Sequence, residues 1–183
     1  KVYDFASYVA VNISSPNTQG LRSLQTGSAF ADLLQQLKQT QTRLAEQYGH
    51  YVPLAVKIAP DLQDEDIEYI AEQLVLHNID GVIATNTTIT RTGIEGLELS
   101  AETGGLSGKP LKALSTYTLA RLAQALAGRI PIIGVGGICD GQSAAEKITA
   151  GASLVQIYTG FIYQGAQLIE DAAASIKALE APV

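Results

Sequence analysis

Small polar side chains gather at the ends of apolar runs in this chain, and their types suggest what they could do. Asn12, Ser14, Ser15, Asn17 and Thr18 follow directly on Tyr8-Val-Ala-Val11, with Pro16 and Gly20 closing the stretch. Thr85, Asn86, Thr87 and Thr88 follow the apolar residues 81–84 in the same way. Asparagine offers both a donor and an acceptor, so such groups could hold a planar, amide-rich ligand; ordinary turn chemistry would use the same residues. Lys57 sits inside the apolar run 53–58. Its ammonium either meets an anion or developing negative charge, or its stem carries the charge out to water. Gly136 and Gly137, and Gly160 with Tyr158 and Thr159, have the small residues that let a backbone close onto a phosphate, although tight turns need the same glycines.

These groups need a scaffold that brings them together. The chain alternates strand-like and helix-like segments. Residues 8–12, 53–58, 81–84, 130–135 and 153–157 read as buried strands, each running into one of the polar clusters. Between them, Ser28 is expected to cap a helix carrying Phe30, Leu33, Leu34, Leu37, Leu44 and Tyr48 on one face. Asp64, Glu65 and Asp66 open a second helix at its positive dipole end. Leu114, Leu119, Leu122 and Leu126 mark a third, with Gly128 as its C-cap. A short helix over Ala144, Ala145 and Ile148 ends at Gly151, and Leu168 to Leu179 form the last. Residues 89–111 lose periodicity and are rich in glycine; a loop this long inside a compact domain is usually functional.

Composition narrows the classes. The chain has 183 residues, 46% of them apolar and 16% charged, enough for a substantial core in a single domain, 1–183. A net charge of -6 argues against nucleic acid, because a phosphate-binding face needs clustered Lys and Arg. The one cysteine, Cys139, cannot form an internal disulfide and reads as a small turn residue. His50 and His77 read as helix-end groups rather than metal ligands. No run reaches the ~20 apolar residues of a membrane span, and the first residues lack the core of a signal peptide.

Five βα units with short connections imply parallel neighbouring strands. Two α/β architectures fit, an open doubly wound sheet or part of a (β/α)8 barrel. A complete barrel needs at least ~200 residues, so this chain would supply about five of the eight units. Polar groups at every strand end favour the TIM barrel, whose chemistry collects at one rim.

The motifs Asn12-Ile-Ser-Ser-Pro-Asn-Thr18 with Gly20-Leu-Arg22, Ala55-Val-Lys-Ile-Ala-Pro-Asp61, Asp80-Gly-Val-Ile-Ala-Thr-Asn-Thr-Thr88, Gly104-Gly-Leu-Ser-Gly-Lys-Pro-Leu111, Ile132-Ile-Gly-Val-Gly-Gly137 and Gly151-Ala-Ser-Leu-Val-Gln-Ile-Tyr-Thr159 run in order across essentially the whole chain. In this they resemble the quinone-linked class 2 of the dihydroorotate dehydrogenase family. The resemblance implies an FMN-binding (β/α)8 barrel from its fourth strand onward, which oxidises dihydroorotate to orotate in pyrimidine biosynthesis. It implies that Ser15 is the base, where the soluble class 1 carries cysteine, and that Thr18 assists it. Asn12, Asn17, Asn86 and Thr87 match pyrimidine-binding positions. Asn12, Lys57, Thr85, Gly108, Gly137, Tyr158 and Thr159 match FMN contacts, with Gly136 beside them; Lys57 would stabilise charge on the flavin. Pro16 to Gly27 would be a mobile lid.

The resemblance further implies a quinone partner and a peripheral place on the cytoplasmic face of the bacterial inner membrane, or the mitochondrial inner membrane in a eukaryote. The first three βα units and the membrane-contacting helices of the family would lie outside this chain. Alternatives are a class 1-like flavoenzyme, a dihydropyrimidine dehydrogenase module, a non-catalytic phosphate-ligand module, or a fragment completed by a second polypeptide. Serine at position 15 argues against the first two.

Overall fold

The computed structural model describes residues 2–179. Five strands form one parallel sheet in sequence order: β1 (Val9–Asn12), β2 (Leu54–Ile58), β3 (Gly81–Ala84), β4 (Ile132–Val135) and β5 (Leu154–Gln156). Helices α1 (Ser28–Tyr48), α2 (Asp64–Leu76), α3 (Lys112–Leu126) and α4 (Gly141–Thr149) connect them, and α5 (Thr159–Gln164) and α6 (Gln167–Leu179) follow β5.

Successive residues of a strand point to opposite faces, and that rule sorts the sheet. Val11, Val56, Ile58, Val82, Ala84 and Ile132 pack against Phe30, Leu34, Ile67, Ile70, Leu74, Leu119, Leu122 and Leu126 of the helices. Burying one such leucine or isoleucine contributes about 1.5–3 kcal/mol, so this layer is the main apolar reserve of the fold. The alternate residues face the other way. Ala55, Ile83, Val135 and Ile133 form a second, smaller cluster there. Asn12 pairs with Lys57, and Lys57 with Ile83, so these two polar residues share that face. Among the described residues helices cover one side; at the β5 edge Leu154 is 63% exposed on the other.

Several local expectations change. Gly27, at φ 69°, occupies the N-cap of α1 and Ser28 is the first helical residue, because the chain enters the helix through a left-handed turn. Ala127, at φ 49°, takes the C-cap of α3 ahead of Gly128. The fifth strand is three residues long. The short α5 begins at once at Thr159, a segment with too few residues for helical periodicity to show.

The end of the sheet remote from the polar clusters is held by Asp80. Its carboxylate accepts from the Leu54 main-chain N–H at 2.8 Å, the Tyr51 hydroxyl at 2.5 Å and the Gln41 amide at 3.0 Å. Burial raises this carboxyl's pKa, but those three donors and Lys38 together outweigh it and hold it below the usual range. A depressed pKa in the folded state means stability that is present above the unfolded value, about 3.9, and lost as the pH falls through the folded one. Asp80→Asn should therefore cost about 1.5–3 kcal/mol in urea unfolding near neutral pH. The gap between variant and wild type should close in acid.

Candidate active site

All five strands end at the same rim, and the loops beyond them carry the polar clusters. Pointing inward from adjacent strands, Asn12 and Lys57 stand at the open face just below it. Asn12 Oδ1 accepts from the Ser14 main-chain N–H at 3.2 Å, the Ser14 hydroxyl at 3.1 Å and Asn86 Nδ2 at 3.1 Å. Asn86 Nδ2 also donates to Ser14 Oγ at 3.0 Å, and Asn86 Oδ1 accepts from the Thr87 N–H at 2.8 Å. Both amide protons of Asn86 are thus committed inside the protein. Among the described residues the amide nitrogen of Asn12 donates to none, which leaves it as the free donor of the pair.

Arg22 locks this arrangement from behind. Its guanidinium donates to the Ser14 carbonyl at 3.0 Å, to Asp61 at 2.7 Å and to the Thr87 carbonyl at 2.8 Å, tying together the loops after β1, β2 and β3. A planar fork of five donors suits that triple role in a way an ammonium does not. Asp61 in turn accepts from Thr88 and from the Ile89 N–H. Ser14, one of the polar residues after β1, is fully buried, and the role of Arg22 is not flagged by residue type alone. The readable signal was the arginine lying within a stretch of otherwise uncharged loop residues.

The expected mobile lid is only partly free. Residues 22–25 form a 3₁₀ turn, and Gln25 Oε1 accepts the buried Ala59 N–H at 2.7 Å, so the far half is anchored. Asn17, Thr18 and Gly20 remain at the exposed tip. Ser15 is half-buried, and its Oγ accepts the Asn17 N–H at 3.3 Å. Among the described residues no hydrogen bond joins Ser15 to Thr18.

The aperiodic loop of residues 89–111 crosses the rim from one side to the other. Leu106 bridges to Thr88 in antiparallel fashion, and Gly105 lies so tightly on Thr87 and Pro16 that a side chain there would overlap both. Farther on, the Ser107 hydroxyl meets that of Thr159 at 2.9 Å and Gly108 rests on the Thr159 methyl. The loop thereby closes one side of a cavity of about 240 Å³.

That cavity gathers most of the remaining sequence-flagged residues: Lys57, Thr85, Asn86, Thr87, Gly108, Gly136, Gly137, Tyr158 and Thr159. Asn12, Ser15, Asn17 and Thr18 are not among its walls and lie across the rim from Gly136 and Tyr158. Thr85 is buried with its hydroxyl on the Asn86 carbonyl at 2.9 Å, whereas Tyr158 is 75% exposed. Gly137, at φ 74°, presses on the Lys112 backbone so closely that no Cβ fits. Packing against α3 therefore demands this glycine, and the same contact brings the loop's main chain to the cavity. Burial lowers the pKa of Lys57, and among the described residues no carboxylate pairs with it. Chemically, the cavity offers glycine main chain, hydroxyls and one unneutralised ammonium, a donor set suited to an anion that carries a planar polar group.

The chain is similar to known proteins. A protein from Shewanella amazonensis named dihydroorotate dehydrogenase (quinone) is 61% identical over 178 residues, covering 97% of this chain and 52% of that protein. One of the same name from Dechloromonas aromatica is 61% identical over 176 residues, covering 96% and 51%. The crystal structure of the Eimeria tenella enzyme in complex with ferulenol superposes with a TM-score of 0.86 at 39% identity, covering 97% of this chain and 51% of that one. The chain thus spans about half the length of the relatives it matches, and its five βα units are part of a (β/α)8 barrel. The family model described as dihydroorotate dehydrogenase matches residues 1–179, and the chain belongs to that family.

Proposed function

We propose that this chain, as one domain, forms a wall of the active site of a quinone-linked dihydroorotate dehydrogenase, holding FMN and dihydroorotate at the rim. The observation that carries the reading is the convergence of Lys57, Thr85, Gly108, Gly136, Gly137 and Thr159 on one cavity, with Asn12 beside Lys57 on the neighbouring strand. The residues fit FMN by the chemistry of their donors. Gly136, Gly137 and Thr159 suit its phosphate, and Lys57 suits an edge of the ring system that gains negative charge. A volume of about 240 Å³ is less than the ~300 Å³ at which whole-ligand pockets begin. The remainder of such a ligand would therefore extend along the uncovered sheet face toward protein outside this chain.

When bound, FMN supplies the acceptor for the hydride that leaves C6 of dihydroorotate. Removing the C5 proton falls to Ser15, whose Oγ receives it while its own proton passes on, with Thr18 as the assisting hydroxyl. A serine is a very weak base, and the Asn17 N–H that its oxygen now accepts weakens it further. Catalysis then requires the exposed tip at residues 17–20 to close, breaking that contact and excluding water. Asn12, through its free amide donor, and Asn17, Asn86 and Thr87 orient the pyrimidine, while Tyr158 covers the outer side of the flavin site.

The parenthesis in the relatives' name supports a quinone as final acceptor. A lipid-soluble acceptor supports a place at the cytoplasmic face of a bacterial inner membrane, or at the mitochondrial inner membrane, reached through protein beyond this chain. Among the described residues no helix is long and apolar enough to cross a membrane.

Two measurements test the assignment in the protein that carries this chain. Ser15→Ala should retain FMN but slow its reduction by dihydroorotate by roughly 10²–10⁴-fold, the usual range for a lost general base; an unchanged single-turnover rate overturns the role of Ser15. Lys57→Ala should lose bound flavin on gel filtration or slow its reduction. Wild-type behaviour in both assays would mean that the ammonium merely reaches for water.

A further inference from the structure

Lys147 is a buried cation that neither the core nor the proposed chemistry explains. It lies on α4 with no solvent exposure, its stem against Gly134 of β4. Among the described residues it has no carboxylate partner; the adjacent Glu146 pairs instead with Lys112 at 2.9 Å. Burial brings its pKa down to about 8, with Glu146 pulling it up and Lys112 pushing it down. Such a group normally neutralises, pairs or is replaced by an apolar residue.

Its two recorded partners are hydroxyls on α3: Ser115 Oγ at 2.6 Å and Thr116 Oγ1 at 2.8 Å. An ammonium has donors only, so both hydroxyls must accept from it and send their own protons elsewhere. Thr116 donates to the Lys112 carbonyl at 2.8 Å. Ser115 lies 2.9 Å from the Gly136 carbonyl and 3.1 Å from that of Lys112. The nearer acceptor is the cavity loop. In a trans peptide the C=O and the following N–H point in opposite directions. Drawing the Gly136 carbonyl toward α3 therefore turns the Gly137 N–H away from α3, and Gly137 is one of the cavity's walls.

We propose that Lys147 is a positioning residue for the phosphate of the flavin: through Ser115 it fixes the Gly136–Gly137 peptide with its N–H presented to the anion, and its charge stands directly behind that peptide. The inference rests on the FMN reading and adds the device that sets the cradle. It differs from a packing role in what it selects, because only a ligand that carries phosphate should feel it.

Riboflavin lacks the phosphate and is the matching probe. Dissociation constants of FMN and riboflavin, measured by flavin fluorescence in the protein that carries this chain, should differ strongly in the wild type. Lys147→Met keeps the stem volume and should weaken FMN roughly tenfold, the effect of one charge-assisted hydrogen bond, while riboflavin changes little. Ser115→Ala removes a single oxygen, tests the relay should the methionine variant fold poorly, and should show the same selective loss. The double variant should lose no more than the worse single one. Equal weakening of both flavins by either variant, or no weakening of FMN, overturns the inference and leaves the flavin site standing. A wild type that binds neither flavin overturns the FMN reading and this inference with it.

Discussion

Everything at the rim depends on the two-residue alternation of five parallel strands that all end on the same side. With Val11, Val56, Ile58, Val82 and Ala84 committed to the helices, their neighbours have no choice of direction. Lys57 must face the open side because Val56 and Ile58 face the helices, and Asn12 must join it because the register pairs them. A slip of one residue in β2 would drive an ammonium into the helix-side core and lift two large aliphatics out of it. The apolar residues therefore hold the polar ones in place, although they make no contact with the cavity themselves.

A second layer of organisation comes from the need to satisfy polar groups before any ligand arrives. Most donors at the rim already have partners: Arg22 joins three loops, Asn86 serves Asn12 and Ser14, and Thr159 meets Ser107. These bonds preorganise the loops, which lowers the ordering cost a ligand would otherwise meet. They also sort the flagged residues by availability. Among the described residues the Asn12 amide and the Lys57 ammonium keep free donors, whereas the donors of Asn86 and Thr85 are already engaged within the protein. The tip at residues 17–20 is exposed, and it adjoins Ser15, the serine proposed as the base.

The strands, their order and the shared rim were legible because continuous apolar runs ending in small polar residues have few other uses in an α/β chain. The helix boundaries at Gly27 and Ala127 were less so, since left-handed cap geometry depends on the path of the incoming chain rather than on residue type. Short α5 escaped detection for want of periodicity. The roles of Arg22 and Lys147 were missed for a different reason: they lie in which distant groups these residues meet, 8 to 65 residues away for Arg22 and 31 or 32 for Lys147. For Lys147 a signal existed. It falls three residues after Ala144 and one before Ile148, on the stripe that α4 turns inward, where a lysine is out of place.

Charge placement ties these threads together. In a chain of net charge -6, four cations have carboxylates at hand: Arg22 with Asp61, Lys38 with Asp80, Lys112 with Glu146, and Arg121 with Asp64 and Glu68. Lys57 and Lys147 have no such partner among the described residues and are lysines from which burial withdraws water. Each has its pKa lowered chiefly by loss of water, and each bears on the same cavity, one as its wall and the other through Ser115 behind the glycine loop. Two unneutralised ammonium groups converging on one volume cost folding free energy as they stand. An anion bound between them would return that cost as affinity, so the same two residues that weaken the empty fold would make the filled one selective for negative charge.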